Sequence, residues 1–309
     1  MINKEFTIYG NGKHFKNKIL PTLDKFKSVK IKSIISRKKK QGEENSYNNL
    51  NNKDCINYAY ISTPISAHYK NILNVINKKN IKVIICEKTL TNNLEKTNNI
   101  IRKCKNNKIL LLESYMYRYH PQFSKLKKII RNIQQKNKKG TIYCRYTIPS
   151  LDKYDHRNNV KLTGGIINEI GCYPLSVLYL LFNIDVEKLR KIKIINKYSK
   201  NKKKLIYFKI KNLNFILSWG YNSNYRNRII YKTNNKTIIA NKFFGKRNED
   251  RINIECLNKK NFIKYNFKNS DNFMYMFKHF FSLQNNFKNR CYYFREIKKI
   301  YEVIEYFKS

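Results

Sequence analysis

The feature that most constrains the fold of this chain is an alternation of short apolar runs with helix-like segments over its first 120 residues. Five runs are brief, rich in β-branched or aromatic residues and bounded by polar or turn residues, as β-strands are; they are FTIYG, VKIKSIIS, YAYIST, VIICE and ILLLES. In HFKNKILPTLDKF, SAHYKNILNVINKK and NNLEKTNNIIRKCKNN, which lie between them, apolar residues recur at the helical spacing of three and four. Such a series predicts a parallel sheet covered by helices.

The pattern changes at about residue 140, where long strand-like segments replace the helices. These segments are TIYCRYTIP, KLIYFKIKN, NFILSWGY, RIIYKTNNKTIIANKFF, RINIECLN and NFIKYNF. One helix is predicted from about residue 170 to 182, and two more after residue 272. We therefore predict an α/β chain with an N-terminal domain at 1–120 and a C-terminal α/β domain at 121–309, built on a large open, mostly antiparallel sheet.

The charge of the chain is strongly basic, with 65 Lys and Arg against 20 Asp and Glu, a net +45. A balance of this kind ordinarily points to a nucleic-acid or anionic-membrane partner. Here the cations are spread along the whole length and accompany an excess of Asn, Ile, Tyr and Phe and a shortage of Gly, Ala and Pro, as AT-rich codons would produce. We expect this drift to explain the charge, with no specific nucleic-acid partner; nucleic-acid binding stays as an alternative.

Cysteines and apolar windows bear on the cellular compartment. The seven cysteines contain no CxxC pair and are expected to be reduced thiols. The N-terminus shows no apolar signal region, and no window approaches the roughly 18 continuous apolar residues of a membrane span. We expect a cytoplasmic protein without a membrane partner. No set of His, Cys, Asp and Glu has metal-ligand spacing, so no metal is predicted.

The first strand runs directly into GNGKHF, so that Gly10 and Gly12 open the following helix. At such a turn the exposed N–H groups and the helix dipole favour a pyrophosphate, provided that glycine lets the backbone come close. This predicts a Rossmann dinucleotide-binding domain. Phe15 replaces the third small residue of the usual fingerprint and is expected to push the helix away from the strand.

The end of the second strand bears on the choice of cofactor. Dinucleotide folds often place an acid there to hold the ribose 2′-hydroxyl, but this chain has Ser36 and Arg37. A hydroxyl and a guanidinium suit a 2′-phosphate, so the prediction is NADP, with NAD as the alternative. The competing interpretation is that Arg37 is one more surface cation.

Further candidates follow the third and fourth strands, at the edge where open α/β sheets bind ligands. ISTPISAH contributes Thr63, Pro64 and His68, and IICEKTL contributes Glu87, as candidate cofactor-binding residues. The adjacent Lys88 could hydrogen-bond a substrate oxygen.

A cluster of glycines marks a second region of interest. GGIINEIGCYP, residues 164–174, holds three of the nine glycines and one of the five prolines. Because glycine serves where φ is positive or where another group approaches the backbone closely, the cluster predicts a tight turn beside Glu169 and Tyr173. A plain loop leading into a helix is the alternative.

In their order and spacing, STPISAHY, CEKTL, LLLESYMYRYHPQ and GGIINEIGCYP resemble the Gfo/Idh/MocA oxidoreductases over nearly the whole chain. GCYP and ESYMYRYHPQ are most similar to the branch with glucose-fructose oxidoreductase, dimeric dihydrodiol dehydrogenase and the nucleotide-sugar 3-ketoreductases. The resemblance implies that Lys88 contacts substrate near the nicotinamide and that Tyr173 is the proton donor or acceptor. Glu169 stands at the family's aspartate. It also implies that the glycines let a loop lie close beneath the nicotinamide and substrate, with Glu169 and Tyr173 four apart on one helix face.

The chain departs from the family pattern at three positions. Thr89 replaces a proline that a cis bond commonly precedes, so either the bond stays cis or Lys88 is displaced. Ile65 stands where a polar residue is common, and Phe15 is the third departure.

The sequence thus predicts an NADP-dependent oxidoreductase acting on a sugar or sugar-nucleotide keto or hydroxyl group. We expect a homo-oligomer, either a dimer or a tetramer. Two alternatives are a non-catalytic dinucleotide- or sugar-sensing member of the family, which the departures favour, and a trans-dihydrodiol dehydrogenase-like enzyme.

Overall fold

The chain forms two compact units in a computed structural model that describes residues 4–36, 56–135, 139–200, 203–246, 249–259, 261–267 and 271–308. The first unit contains Met1–Tyr115, Lys161–Gly164 and Phe277–Tyr301, and the second contains Met116–Val160, Gly165–Met276 and Glu302–Ser309. The predicted domains are unbroken stretches, whereas the first unit also includes two segments from later in the chain.

The first unit is built on a five-stranded sheet in which every neighbouring pair is parallel. Its strands are β1 (Lys4–Tyr9), β2 (Val29–Ile35), β3 (Tyr58–Ile61), β4 (Val83–Cys86) and β5 (Leu110–Glu113), in the order β2-β1-β3-β4-β5. All five strands lie where the apolar runs predicted them. Each residue of β4 and β5 is buried, as expected for a parallel sheet that is covered on both faces.

The helices of this part of the chain have amphipathic sequences whose apolar sides are buried. A π-helical turn at Phe15–Ile19 leads into α1 (Leu20–Leu23), and α2 (Ile65–Ile76) and α3 (Leu94–Asn106) follow β3 and β4. The core between helices and sheet includes Ile72, Val75 and Ile100 with Ile84 and Leu111. Phe15 is fully buried and opens the π-helical turn.

The second unit is built on an eight-stranded sheet with the order β13-β12-β11-β10-β6-β9-β8-β7. Its strands are β6 (Gly140–Thr147), β7 (Ile194–Lys200), β8 (Lys203–Ile210), β9 (Leu213–Gly220), β10 (Arg226–Thr233), β11 (Lys236–Asn241), β12 (Ile252–Asn258) and β13 (Phe262–Phe267). All neighbours are antiparallel except β6 and β9, which run parallel. The predicted fold class, with its mostly antiparallel second sheet, is confirmed.

The remaining helices are α4 (Pro121–Gln134), α5 (Val160–Thr163), α6 (Cys172–Phe182), α7 (Val186–Arg190), α8 (Asn272–Ser282) and α9 (Phe287–Tyr306). Of these, α6, α8 and α9 lie where the sequence predicted helices, whereas α4, α5 and α7 were not predicted. His120 caps α4, since its Nδ1 accepts a hydrogen bond from the N–H of Gln122 at 3.1 Å. Within the described ranges no helix combines the length and the apolar character needed to cross a bilayer.

Candidate functional site

The turn after β1 is tight because of Gly10. Its φ is +107°, and a Cβ at this position would lie 2.7 Å from the carbonyl oxygen of Ser62 and 3.0 Å from the nitrogen of Thr63. Only glycine fits there, since a side chain would clash with backbone atoms at the end of β3. A Cβ on Gly12, by contrast, would meet nothing within 4 Å, so the space beside it is open. Dinucleotide folds hold a pyrophosphate at a glycine turn of this kind, and the predicted role of Gly10 and Gly12 stays a prediction.

The end of β2 is described only as far as Ser36, whose side chain is exposed. Arg37 lies outside the described residues. The predicted preference for NADP, which depends on that guanidinium, therefore stays a prediction.

The residues after β3 are tied to the loop after β4 by His68. This imidazole is buried, with Nε2 2.7 Å from the carbonyl oxygen of Thr63 and Nδ1 2.8 Å from that of Thr89. Burial lowers the pKa of His68, although the two carbonyl contacts and nearby Glu87 oppose the shift. Both ring nitrogens face protein atoms, which makes His68 a brace between two loops at the carboxyl edge of the sheet. Its predicted contact with cofactor stays a prediction, as does that of Pro64, the residue that caps α2.

The carboxylate of Glu87 joins three elements at this edge. It accepts a short hydrogen bond from the hydroxyl of Tyr60 in β3, and its Oε1 lies 3.2 Å from Nε2 of His14 in the first turn. Burial alone would raise the pKa of Glu87, but His14 and the Tyr60 hydroxyl hold it below its ordinary value. Glu87 is therefore ionised at neutral pH. His14 and Tyr60 were not among the predicted residues, because only the fold brings them to Glu87.

Lys88 follows immediately and is half-buried. The peptide bond between Lys88 and Thr89 is cis, which is the first of the two alternatives that the sequence left open. Thr89 itself is fully buried. One edge of the parallel sheet of the first unit thus brings together five of the residues named so far, namely Gly10, Thr63, His68, Glu87 and Lys88.

Glu169 and Tyr173 belong to the second unit. Gly165 at the start of the motif has a φ of +90°, as a tight turn requires, and a π-helical turn at Ile167–Gly171 then leads into α6. Glu169 lies inside the π-helical turn, where backbone hydrogen bonds join residues five apart. The prediction of a shared helix face rested on α-helical geometry, and it stays a prediction.

The third glycine of the motif makes room for a tryptophan. Gly171 has helical backbone angles, but a Cβ there would lie 2.6 Å from Nε1 and 2.8 Å from Cε2 of Trp219, which is fully buried in β9. Close packing of the helix on the sheet therefore requires glycine at this position.

Tyr173 lies in an aromatic cluster of the second unit and is 6% exposed. The centroid of its ring is 4.8 Å from that of Tyr146 in an edge-on contact and 5.5 Å from that of Phe244, and its hydroxyl is 3.9 Å from Sδ of Met116. Tyr117 closes the cluster, and its hydroxyl is 2.7 Å from the hydroxyl of Ser176. These neighbours fix the ring of Tyr173, and sequence reasoning missed them because they come from three separate segments of the chain, at residues 116–117, 146 and 244.

An arginine lies near Glu169. Arg157 is paired with Asp155, with Nη2 2.6 Å from Oδ2 and Nε 2.9 Å from Oδ1. The hydrogen bonds from Arg157 lower the pKa of Asp155 to about 2. The hydrogen bonds to Asp155 raise the pKa of Arg157, and the charges of Asp155 and Glu169 add to this shift against the opposing effect of burial. Among the residues that the structure describes, no group of three His, Cys, Asp or Glu side chains could hold a metal ion.

The parallel sheet of the first unit and the tight turn at Gly10 are typical of the class of proteins that bind nicotinamide dinucleotides. The family model described as "Oxidoreductase family, NAD-binding Rossmann fold" matches residues 4–115. The match agrees with the resemblance to the Gfo/Idh/MocA oxidoreductases and confirms the predicted Rossmann dinucleotide-binding fold of this part of the chain.

Curated relatives match over part of their length. The chain is 26% identical over 137 residues to a scyllo-inositol 2-dehydrogenase (NADP(+)) of Bacillus subtilis, covering 42% of this chain and 40% of the relative. It is 24% identical over 184 residues to dTDP-3,4-didehydro-2,6-dideoxy-alpha-D-glucose 3-reductase of Actinomadura kijaniata, covering 54% of this chain and 53% of the relative. These matches thus span about half or less of the relatives' length.

Solved structures match over nearly the whole chain. KijD10, a 3-ketoreductase from Actinomadura kijaniata in complex with NADP and TDP-benzene, has a TM-score of 0.84 at 14% identity, covering 98% of this chain and 96% of the other. Aldose-aldose oxidoreductase from Caulobacter crescentus has a TM-score of 0.70 at 14% identity, covering 98% of both chains. At this identity the likeness establishes the shared fold.

Proposed function

We propose that this protein is an NADP-dependent oxidoreductase that transfers hydride between the nicotinamide and a keto or hydroxyl group of a sugar or sugar nucleotide. The observation that carries the proposal is the Rossmann sheet, in which Gly10 forms the tight turn after the first strand. The fold of the whole chain also resembles that of a 3-ketoreductase. The NADP(+)-dependent inositol dehydrogenase among the relatives supports the choice of cofactor and of a polyhydroxylated substrate.

Several features of the first unit support the proposal that it holds the dinucleotide. The open space beside Gly12 and the helix start behind it suit the pyrophosphate, and the exposed Ser36 with Arg37 suits the 2′-phosphate. Thr63, Pro64 and Glu87 border the same edge of the sheet, where doubly wound folds bind ligands. In the proposed site His68 acts by bracing the backbone of Thr63.

The chemistry that we assign to the side chains is proton transfer and polarisation. The bound nicotinamide supplies the hydride that adds to the ketone carbon. Tyr173 donates a proton to the ketone oxygen in reduction and accepts it back in oxidation. An unperturbed tyrosine titrates near pH 10, so the ammonium of Lys88 assists the transfer by stabilising the developing oxyanion. Glu169 completes the catalytic set by hydrogen-bonding a substrate hydroxyl.

The positions of the three departures support an enzyme over a sensor. Phe15 and Thr89 are fully buried, and Ile65 is 5% exposed. All three side chains are buried, so these departures concern packing, and the chain keeps Lys88, Glu169 and Tyr173 themselves. A non-catalytic sensor and a trans-dihydrodiol dehydrogenase-like enzyme remain the competing functions.

We further propose that the protein is a cytoplasmic homo-oligomer without a specific nucleic-acid partner. The open eight-stranded sheet offers a surface for a second copy, and the outer strands β12 and β13 carry the exposed Leu257, Phe262 and Ile263. Sedimentation equilibrium of the full chain measures the oligomeric state, and a monomer at micromolar concentration would contradict this part of the proposal.

The test of function starts with binding titrations of NADPH and NADH, followed by a panel of keto-sugars. Tyr173→Phe keeps the ring but removes the proton, so turnover should fall by about 10²- to 10⁴-fold with NADPH affinity nearly unchanged. Lys88→Met should likewise slow turnover and spare cofactor binding. Tyr207→Phe is the matched control, because its hydroxyl contacts Asn214 on the second sheet at 3.4 Å, and it should keep the parent rate.

Two results would count against the proposal. A Tyr173→Phe variant that keeps the parent rate on a confirmed substrate contradicts the assignment of the proton donor. A parent protein that binds NADPH and reduces none of the keto-sugars favours the sensor.

A further inference from the structure

The loop that carries Lys88 is held from behind by two side chains that lie far apart in sequence. Oε1 of Glu113, the last residue of β5, accepts hydrogen bonds from the N–H of Leu90 at 2.8 Å and from the hydroxyl of Tyr301 at 3.1 Å. The Tyr301 oxygen in turn accepts a hydrogen bond from the N–H of Thr91 at 3.0 Å. Two successive backbone amides just beyond Lys88 therefore depend on one carboxyl group and one phenol.

The other oxygen of this carboxyl group is in an unusual position. Glu113 is 6% exposed, and its Oε2 is buried with no hydrogen-bond partner within the part of the chain that the structure describes. A bare carboxylate oxygen in such a place is costly, because nothing replaces its hydration. Burial raises the pKa of Glu113 to about 8, against the opposing effect of the hydrogen bonds from Leu90 and Tyr301. At neutral pH the group is therefore mainly the neutral acid.

The charged and titratable neighbours of this carboxyl group come from the surrounding elements. Glu296 of α9 raises the pKa of Glu113, and Lys88 of the loop lowers it. Burial raises the pKa of the Cys86 thiol in β4 well above its ordinary value, so this thiol is neutral. His68 of α2 contacts the same loop at the carbonyl oxygen of Thr89, and burial lowers the pKa of this imidazole. Tyr301 is a further titratable neighbour, and its hydroxyl donates a hydrogen bond to Oε1 of Glu113.

We propose that Glu113 and Tyr301 form a latch that positions the loop 87–91, and that the latch closes with Glu113 protonated and releases that proton to solvent when it opens. Glu113 is thus a positioning residue that acts through Lys88. The role of Lys88 rests on the proposed function, whereas the latch itself is a property of the first unit.

The pH dependence follows from proton linkage. In the open state the carboxyl group meets water and takes an ordinary pKa of about 4.3. Because the folded value is the higher one, the stabilisation of the closed state is complete below about pH 4.3 and is lost as the pH rises towards about 8. In that window the equilibrium constant for opening rises by about tenfold per pH unit, and above it the constant levels off.

Amide hydrogen exchange of the full chain by NMR measures this opening directly. From pH 6.5 to 7.5 the protection factor of Leu90 should fall by close to tenfold, after correction for the intrinsic exchange rate. Glu113→Gln should remove this slope, because glutamine keeps an oxygen acceptor for Leu90 and Tyr301 and cannot ionise. In Tyr301→Phe the amide of Thr91 should lose its protection at both pH values, whereas the pH dependence of protection at Leu90 should stay unchanged.

A second variant covers the case in which Glu113→Gln fails to fold. Glu296→Gln removes the like charge, so the pKa of Glu113 should fall and the slope at Leu90 should level off at a lower pH than in the parent protein. The latch would be overturned if the protection of Leu90 in Glu113→Gln still fell with pH. It would also be overturned if that protection levelled off at the same pH in Glu296→Gln as in the parent protein. A Leu90 amide whose protection equals that of Ile8 in β1 would overturn it as well, since the loop would then open only with the whole unit.

The two proposals fail in different ways. If the hydrogen exchange of Leu90 depends on pH as expected but the protein reduces no keto-sugar, the latch is supported and the proposed function is contradicted. Measured turnover in a protein whose Leu90 protection has the same slope in the parent and in Glu113→Gln contradicts the latch alone.

Discussion

Replacing Gly171 by alanine tests the packing of α6 on the second sheet. In a helix alanine is preferred over glycine by about 1 kcal/mol, so local propensity alone predicts a stabilised protein. The structure predicts the opposite, because the new Cβ would lie 2.6 Å from Nε1 and 2.8 Å from Cε2 of Trp219. Those atoms belong to a rigid, fully buried ring, so the overpacking cost lies near the upper end of the usual range of about 1 to 3 kcal/mol. The expected net loss is about 2 kcal/mol in the free energy of unfolding.

The assay for this loss is urea unfolding followed by tryptophan fluorescence. Trp219 is the only tryptophan of the chain, so the signal comes from the ring that the new methyl group would displace. Gly12→Ala is the matched control, because its Cβ would meet nothing within 4 Å and its effect should stay within about 0.5 kcal/mol. A Gly171→Ala variant as stable as the parent protein, or more stable, would refute the reasoning, since it would show that propensity outweighs the contact with the indole.

Two further predictions concern the cofactor and the charge. Because a guanidinium at the end of β2 suits a 2′-phosphate, NADPH should bind more tightly than NADH and Arg37→Asp should reverse the order; equal affinities in the parent protein, measured by titration calorimetry, would contradict this. On the hypothesis that composition drift explains the net charge of +45, duplex DNA should bind weakly and with a steep salt dependence. Tight, sequence-selective binding at physiological salt in a fluorescence-anisotropy titration would contradict it.

The sequence pattern predicted most elements of the fold but missed β7 and the helices α4, α5 and α7. This strand, Ile194–Lys200, lies at the edge of the second sheet and pairs only with β8 among the described strands. Its residues IINKYSK mix polar and charged side chains with few apolar ones, as edge strands often do to discourage further pairing. An edge strand buries little apolar surface, so its sequence carries a weak periodic signal.

The reason for a glycine also differed between positions. Gly10 lies at the positive φ that the turn into the first helix requires, in agreement with the strand-to-helix motif. Gly171 has ordinary helical angles and is required by a partner 48 positions later, Trp219. The motif predicted that bare backbone was needed there, but the partner could not be predicted, because no local pattern links α6 to β9.

By itself the sequence determined the order and type of most elements, the dinucleotide-binding class of the first unit and the candidates Lys88, Glu169 and Tyr173. The elements and the class follow from local chemistry, since hydrophobic period, turn residues and short motifs act over a few positions. The roles expected of the three candidates are those that the family resemblance implies. Only the tertiary structure decided that Glu87 is joined to His14 and Tyr60, and that Glu113 and Tyr301 hold the loop beyond Lys88. Glu113 and Tyr301 stand 188 residues apart. Contacts over such separations depend on how strands and helices pack, and packing is set by the shape of the whole core rather than by any segment of the sequence.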